Sequence, residues 1–408
     1  MSKSEATIQL PVGKLRVGIY VDLELKWSEH PFLFRRFRIR SQDEIDIIQK
    51  IIKEKVTVYP KRSIIGKEAL LSEDLTAPSD ESAPKTDKSL WEEKQTHIDQ
   101  AREYRDERRR LMREYKQTAQ KVKRFTNELA TAPANAMRDA EAIIGDMVTH
   151  FEQGENVLMN LVNLPDAGYS NDSHSLNVTV LSLSLARSLG LTGEELSQIA
   201  MGALLHDVGQ ATLPGQIIHK TEPLSKGEEK VYEMHALAGA KMARNTGLLN
   251  EAIIQIIEQH HRMLDGSGYP LNEVKPDQLS RATRVVSIAN IYDNLCNPQQ
   301  VKSAMTPKQA MATLYRKYRG KLDPEILPFF IKCMGVYPPG TVVQLSDGSI
   351  GLVITVDPDH LLKPTILLYN PDIPRNEALM LNLIDRDDIT VEDAVKPDQY
   401  PPRLYDYL

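Results

Sequence analysis

The chain has 408 residues, 41% hydrophobic and 26% charged, which is enough for two or three domains with a sizeable core. A net charge of −6 excludes general nucleic-acid binding, which needs a basic face, and no apolar run approaches the ~18–20 residues of a membrane span. The start has no apolar segment of signal-peptide length, and Cys296 and Cys333 lie far apart, so a cytoplasmic protein with packed, reduced thiols is expected.

Leu15, Val17, Ile19, Val21 and Leu23 alternate, predicting a half-buried strand, and an apolar-aromatic segment follows over residues 31–39. Ser41-Gln42-Asp43-Glu44 reads as a capping box, so a helix is expected over 42–52 before a strand at 57–59. These form a small α+β domain over residues 1–60. Its His30 has no partner nearby in sequence and reads as packed or solvated. Residues 61–88 are polar and aperiodic, a flexible linker. Residues 89–131 predict one long charged helix, with Trp91, Ile98, Ala101, Met112, Tyr115, Ala119, Val122 and Leu129 at heptad-compatible positions. Arg105 and Arg108 interrupt that seam, and ten basic residues against four acidic ones between Ala101 and Thr126 read as a solvated face. A partly exposed seam predicts a homodimer through this helix; packing in part on the domain that follows it is the other reading.

Pro133 interrupts the helix and Asn135 is placed to cap the next. Asp172 or Ser173 caps a helix carrying His174 and ended by Gly190, and Thr192-Gly193-Glu194-Glu195 reads as the capping box of a helix delivering His206-Asp207. Ser225-Lys226-Gly227-Glu228 starts the helix with His235, and Asn250 starts the one that ends in His260-His261. Further helices are expected over 285–295 and 307–318. The protein is thus mainly α: an all-α bundle over residues 133–335, flanked by the α+β domain and by a small β-rich domain over 336–408. That last region shows a hairpin turning at Asp347-Gly348 and strands at 365–369 and 378–384. The two β-rich ends either pack on each other or flank the bundle.

His174, His206, Asp207, His235, His260 and His261 are metal-ligand types, each near the end or on one face of a predicted helix. Any one alone reads as a packed histidine; the set reads as a metal site, and imidazole with carboxylate suits Fe, Mn, Ni or Zn. The double histidine runs into a Gly- and Pro-rich turn, Asp265-Gly266-Ser267-Gly268-Tyr269-Pro270. His206-Asp207, His260-His261 and Gly268-Tyr269-Pro270, within residues 166–328, closely resemble the HD-GYP family of metal-dependent phosphohydrolases, which open cyclic di-GMP and related cyclic dinucleotides. The resemblance implies an HD-type bundle with two divalent cations, Fe or Mn, bridged by Asp207. It implies hydrolysis of cyclic di-GMP or the mixed guanine-adenine dinucleotide to the linear dinucleotide and on to the mononucleotide, in second-messenger signalling with protein partners. It places Gln210, Asp265, Gly268, Tyr269, Pro270 and Lys302 toward substrate and Asn290 among the ligands. The string Leu15-Arg16-Val17-Gly18, Trp27 and His30-Pro31-Phe32 is similar to a short uncharacterised domain often found ahead of HD-GYP domains.

The chain departs from the family at three positions. Gln210 stands where the family usually has Lys, Asn290 where it has a metal-binding Asp, and Gln299 where it has a phosphate-facing Arg. Asn290 can offer a carbonyl oxygen but no charge. Asp293, one turn on, is either a substitute ligand or a supporting carboxylate. Ser170 replaces the Glu that some members use for a third metal. The alternative function is therefore a degenerate member that binds a cyclic dinucleotide or a protein without turnover. A different HD-type nucleotide hydrolase accounts less well for the complete Gly-Tyr-Pro loop.

Overall fold

The computed structural model describes residues 6–64, 86–129, 131–152, 162, 171–220, 222–271, 275–298, 303–370, 373–374, 377–386, 389–395, 399 and 404. Most of the expected linker, together with Ser170, Gln299 and Lys302, lies outside them. Eleven α-helices dominate, with one four-stranded and one five-stranded sheet among the described residues. No described helix is long and apolar enough to cross a membrane.

The amino-terminal domain is an antiparallel sheet of β1 (Ile8–Pro11), β2 (Tyr20–Asp22), β3 (Arg36–Arg38) and β4 (Lys55–Val58) in the order β1-β4-β2-β3. Helix α1 (Gln42–Ile51) packs Ile45, Ile47 and Ile48 into its core. The strand expected from Leu15 to Leu23 is shorter than the alternation suggests. Gly18 takes a φ of 91°, which turns the chain away from the ladder while Leu15 and Ile19 stay buried. The cap of α1 also differs: Ser41 Oγ accepts from Glu44 N–H, but the Glu44 carboxylate accepts from Arg40 N–H rather than from Ser41.

Helix α2 (Asp87–Glu128) has 42 residues, about 63 Å at 1.5 Å per residue, and opens with a Thr86–Ser89 capping box. Leu111, Tyr115, Val122 and Phe125 line the face that joins the main core, and Arg105 and Arg108 are buried with them. Apart from Trp91, which stays exposed, the seam residues are buried or partly buried against the same chain. Pro133 is the first residue of α3 (Pro133–Glu152), so Asn135 sits inside the first turn and is not the cap.

The bundle continues with α4 (Asn171–Ser188), α5 (Glu194–Leu205), α6 (Gly215–Ile218), α7 (Lys226–Thr246), α8 (Glu251–Gln259), α9 (Arg281–Cys296), α10 (Pro307–Lys317) and α11 (Ile326–Met334). Two expected caps differ. Helix α4 is already formed at Asn171, ahead of Asp172 and Ser173, and α5 starts from Gly193 at φ 57° with no side-chain cap. Ser225, Asn250 and Thr306 do cap α7, α8 and α10. Helix α11 was not expected from the sequence, where Pro328 lowers its helical score.

The carboxy-terminal sheet, β5 (Val342–Leu345), β6 (Ile350–Thr355), β7 (Thr365–Tyr369), β8 (Met380–Asn382) and β9 (Val391–Ala394), is antiparallel in the order β8-β7-β6-β5-β9. Both of its faces are buried. Leu352, Ile354 and Leu367 enter the bundle's core, whereas Val353, Ile366 and Leu368 meet Trp27, Phe34 and Ile98. The two β-rich ends therefore pack on each other around the start of α2. There His97 Nδ1 lies 2.6 Å from the Met380 carbonyl, and Lys94 Nζ donates to the carbonyls of Trp27 and His30 while sitting 3.6 Å above the Trp27 ring.

His30 is fully buried here, the packed alternative of its two sequence readings. Burial, with the Lys94 charge beside it, pushes its imidazole from 6.5 down to about 4. Between those values the unfolded chain holds a proton that the folded chain does not. Stability is therefore expected to fall as pH drops through this window, by up to about 3 kcal/mol. In a pH series of urea melts His30→Leu should flatten that acid limb; an unchanged limb would show that His30 does not set it.

Candidate metal centre

Four helices deliver the site, three of them at or near an end. His206 and Asp207 follow the last turn of α5, His260 and His261 follow α8, His174 lies in the first turns of α4, and His235 lies midway along α7. Glycines let these elements close up. A Cβ on Gly209 would stand 1.9 Å from the His235 carbonyl oxygen and 2.4 Å from Gly239 N, so the turn after Asp207 lies flush on α7. Likewise a Cβ on Gly202 would meet the Ile256 side chain at 2.6 Å, which sets α5 against α8.

The side chains form two clusters that share one residue: His174, His206 and Asp207 in the first, and Asp207, His235, His260 and His261 in the second. Asp207 Oδ2 lies 3.3 Å from His206 Nε2 and 3.7 Å from His174 Nε2, while Oδ1 lies 3.1 Å from His235 Nε2 and 3.7 Å from His260 Nε2. The far side of each ring is tied down. Nδ1 of His206, His235 and His260 lies 2.6, 2.7 and 2.9 Å from the carbonyls of Ala203, Tyr232 and Ile257. A carbonyl only accepts, so each Nδ1 carries the proton and each Nε2 presents a lone pair. Those lone pairs converge, His206 on His174 at 3.3 Å and His235 on His260 at 3.5 Å, and the buried Asp207 Oδ1 makes no well-formed hydrogen bond. Such a set is repulsive by itself and suits a divalent cation on each side of Asp207.

Electrostatics point the same way. Burial raises the Asp207 carboxyl, but the surrounding imidazoles, His206 first among them, outweigh it and hold the group well below the usual carboxylate range. Burial, with neighbouring imidazoles, pushes His260 down to about 4 and His261 well below its ordinary value. Both are neutral near pH 7, the form in which imidazole binds metal. His174 differs: burial lowers it, but the Asp293 carboxylate 2.6 Å from its Nδ1, together with Asp207 and Asn290, raises it above the ordinary value on balance.

The remaining expected residues divide. Asn290 Oδ1 sits 3.0 Å from His174 Nε2 and accepts from Asn294, so it faces the first cluster. Asp293 accepts instead from His174 Nδ1, Asn177 and Asn297, so it backs His174 and lies outside both clusters. Tyr269 stacks on His261 at 4.4 Å, and Gly268, whose Cβ would stand 2.0 Å from the His261 carbonyl, lets the loop lie directly on the double histidine. Pro270 is buried behind it. Asp265 is exposed, accepts from Ser267 N–H and hydroxyl, and belongs to neither cluster. Gln210 is buried and donates to the Tyr232 hydroxyl at 3.2 Å. Sequence reading overlooked Asn177. Its signal was an amide three residues after His174 in a stretch, His174 to Ala186, that otherwise offers Leu, Val, Ala, Ser and Thr.

Family models match two regions, an HD domain over residues 156–326 and the domain of unknown function DUF3391 over residues 7–140, the latter taking in α2. The chain is 25% identical to the cyclic di-GMP phosphodiesterase PA4108 of Pseudomonas aeruginosa over 88% of its own length and 84% of that protein's. It is 32% identical to the cyclic di-GMP phosphodiesterase response regulator RpfG of Xanthomonas campestris pv. campestris, over 36% of this chain and 39% of that one. To the 3'3'-cGAMP-specific phosphodiesterase 2 of Vibrio cholerae it is 27% identical over 46% and 36%. Among solved structures, Bd1817, an HDG"Y"P protein from Bdellovibrio bacteriovorus, aligns over 80% of this chain and 98% of its own with a TM-score of 0.47 and 17% identity. The paired histidines, the shared aspartate and the Gly-Tyr-Pro loop stand in one HD domain behind a DUF3391 domain, and over most of its length the chain is similar to a cyclic di-GMP phosphodiesterase.

Proposed function

We propose that the chain is a phosphodiesterase that opens cyclic di-GMP, or the mixed guanine-adenine cyclic dinucleotide, to the linear dinucleotide at a two-cation centre. The observation that carries this reading is the sharing of Asp207 between two histidine clusters. His174, His206, Asp207 and Asn290 would hold one cation, and Asp207, His235, His260 and His261 the other, with Fe or Mn the best match to this mixed nitrogen and oxygen set. Two divalent cations so placed supply Lewis acidity at a phosphodiester oxygen and lower the pKa of the attacking water. The protein supplies the rest. Asp207 keeps its charge between the two sites, the Nδ1 hydrogen bonds to carbonyls lock each ring, and Tyr269 stacked on His261 forms an aromatic wall on which a base or ribose can rest.

A receptor without turnover is the second reading, and two observations favour it: the neutral oxygen of Asn290, and the engagement of Gln210 with Tyr232, where a cation would otherwise reach phosphate. Full-length protein incubated with each cyclic dinucleotide and Mn²⁺ or Fe²⁺, with products separated by chromatography, decides between them. Linear dinucleotide that appears with metal and vanishes with chelator is expected. Binding in calorimetry without any product would establish the receptor.

A further inference from the structure

We infer that Tyr115 of α2 is a positioning residue for this centre, holding His174 through a buried relay of hydrogen bonds. The inference rests on the two-cation reading. Tyr115 donates its hydroxyl to Asn177 Oδ1 at 2.8 Å, Asn177 Nδ2 donates to Asp293 Oδ1 at 3.0 Å, and Asp293 Oδ2 accepts from His174 Nδ1 at 2.6 Å. The relay ends at His174 Nε2, which faces Asp207 and Asn290. Tyr115, Asn177, Asp293 and His174 are all at least nine-tenths buried.

The direction of each bond is forced. Asp293 is a carboxylate and only accepts, so Asn177 turns its amide nitrogen toward it and leaves its carbonyl for a donor on α2. Tyr115 is that donor, and burial raises its hydroxyl so that the proton stays in place. The Ser173 carbonyl lies 3.3 Å from the same hydroxyl, one residue before His174, so Tyr115 also touches the backbone that carries the ligand. Asn297 donates to Asp293 Oδ1 as well, which fixes the carboxylate from a second side.

The same helix is pinned 21 residues upstream, where Lys94 binds the carbonyls of Trp27 and His30. One uninterrupted helix of about 32 Å between those points joins the amino-terminal domain to the ligand His174. A shift of α2 along or about its axis would move the Tyr115 hydroxyl relative to Asn177. Signals received by the amino-terminal domain thereby gain a physical route to one cation and not the other.

The test is Mn²⁺ titration of metal-free full-length protein, with free Mn²⁺ followed by electron paramagnetic resonance. Tyr115→Phe should weaken one of two binding steps about three- to tenfold, and Asp293→Asn the same step by roughly 10–100-fold. Asn177→Ala, which cuts the next link, should repeat the Tyr115→Phe loss. Tyr104→Phe is the control, since Tyr104 is equally buried on the same helix and its hydroxyl makes no hydrogen bond; it should leave both steps unchanged. Wild-type binding by both Tyr115→Phe and Asn177→Ala, or an equal loss in Tyr104→Phe, would overturn the relay. A wild type that takes up no Mn²⁺ would instead remove the two-cation reading beneath it.

Discussion

Asp207→Asn is expected to yield a folded protein that has lost both cations and at least about a hundredfold in hydrolysis. Asp207 is the one anionic donor in either cluster, and its two oxygens face different histidine pairs. An amide of the same shape turns its oxygen to one side and its N–H bonds to the other. One site then meets donors that repel a cation, and the other loses the charge that balanced it. Elemental analysis of protein purified without oxygen, beside a thermal melt and a rate measurement, checks this. Two retained equivalents of metal with a normal melt would show that the cations sit elsewhere.

The opposite change is expected at Asn290. Its Oδ1 lies beside His174 Nε2 and already accepts from Asn294, so a carboxylate fits with little rearrangement. Asn290→Asp should tighten the first cluster's cation by roughly one to two orders of magnitude and raise the hydrolytic rate. Without metal the sign reverses. The new carboxylate would share a buried region with Asp207 and Asp293, and like charges there disfavour the fold. Metal-free Asn290→Asp should therefore melt below wild type and gain more on Mn²⁺ addition, because binding to the folded state alone adds its free energy to stability. Equal Mn²⁺ affinity and equal rate in both proteins would mean that Asn290 faces no cation.

Two of the candidate ligand pairs were legible because each stands where a helix pattern meets a turn. His206-Asp207 and His260-His261 were readable in this way. The role of Asp293 was not. Whether a carboxylate one turn beyond Asn290 binds metal or the back of a ligand depends on how α9 is rotated against α4, which local pattern does not encode. The same limit hid the relay through Asn177 and Tyr115, a contact between residues 62 positions apart. It also left the α2 seam looking unpartnered, although its neighbours come from the bundle and from both ends of the chain. Strand β9, Val-Glu-Asp-Ala, escaped notice because an edge strand with two acids lacks any apolar alternation.

The carboxy-terminal sheet has a practical consequence for dissecting the protein. Its alternate residues belong to two different cores, so Leu352 and Leu367 seal the bundle while Val353 and Leu368 seal the Trp27 layer. A truncation that ends the chain after α11 would strip both at once and leave two raw apolar surfaces in water. Fragments that keep only the histidine-bearing helices should aggregate or need detergent, however complete their ligand set. The smallest fragment expected to fold retains the last strands together with the first, since the two β-rich domains form a single clasp around the beginning of α2.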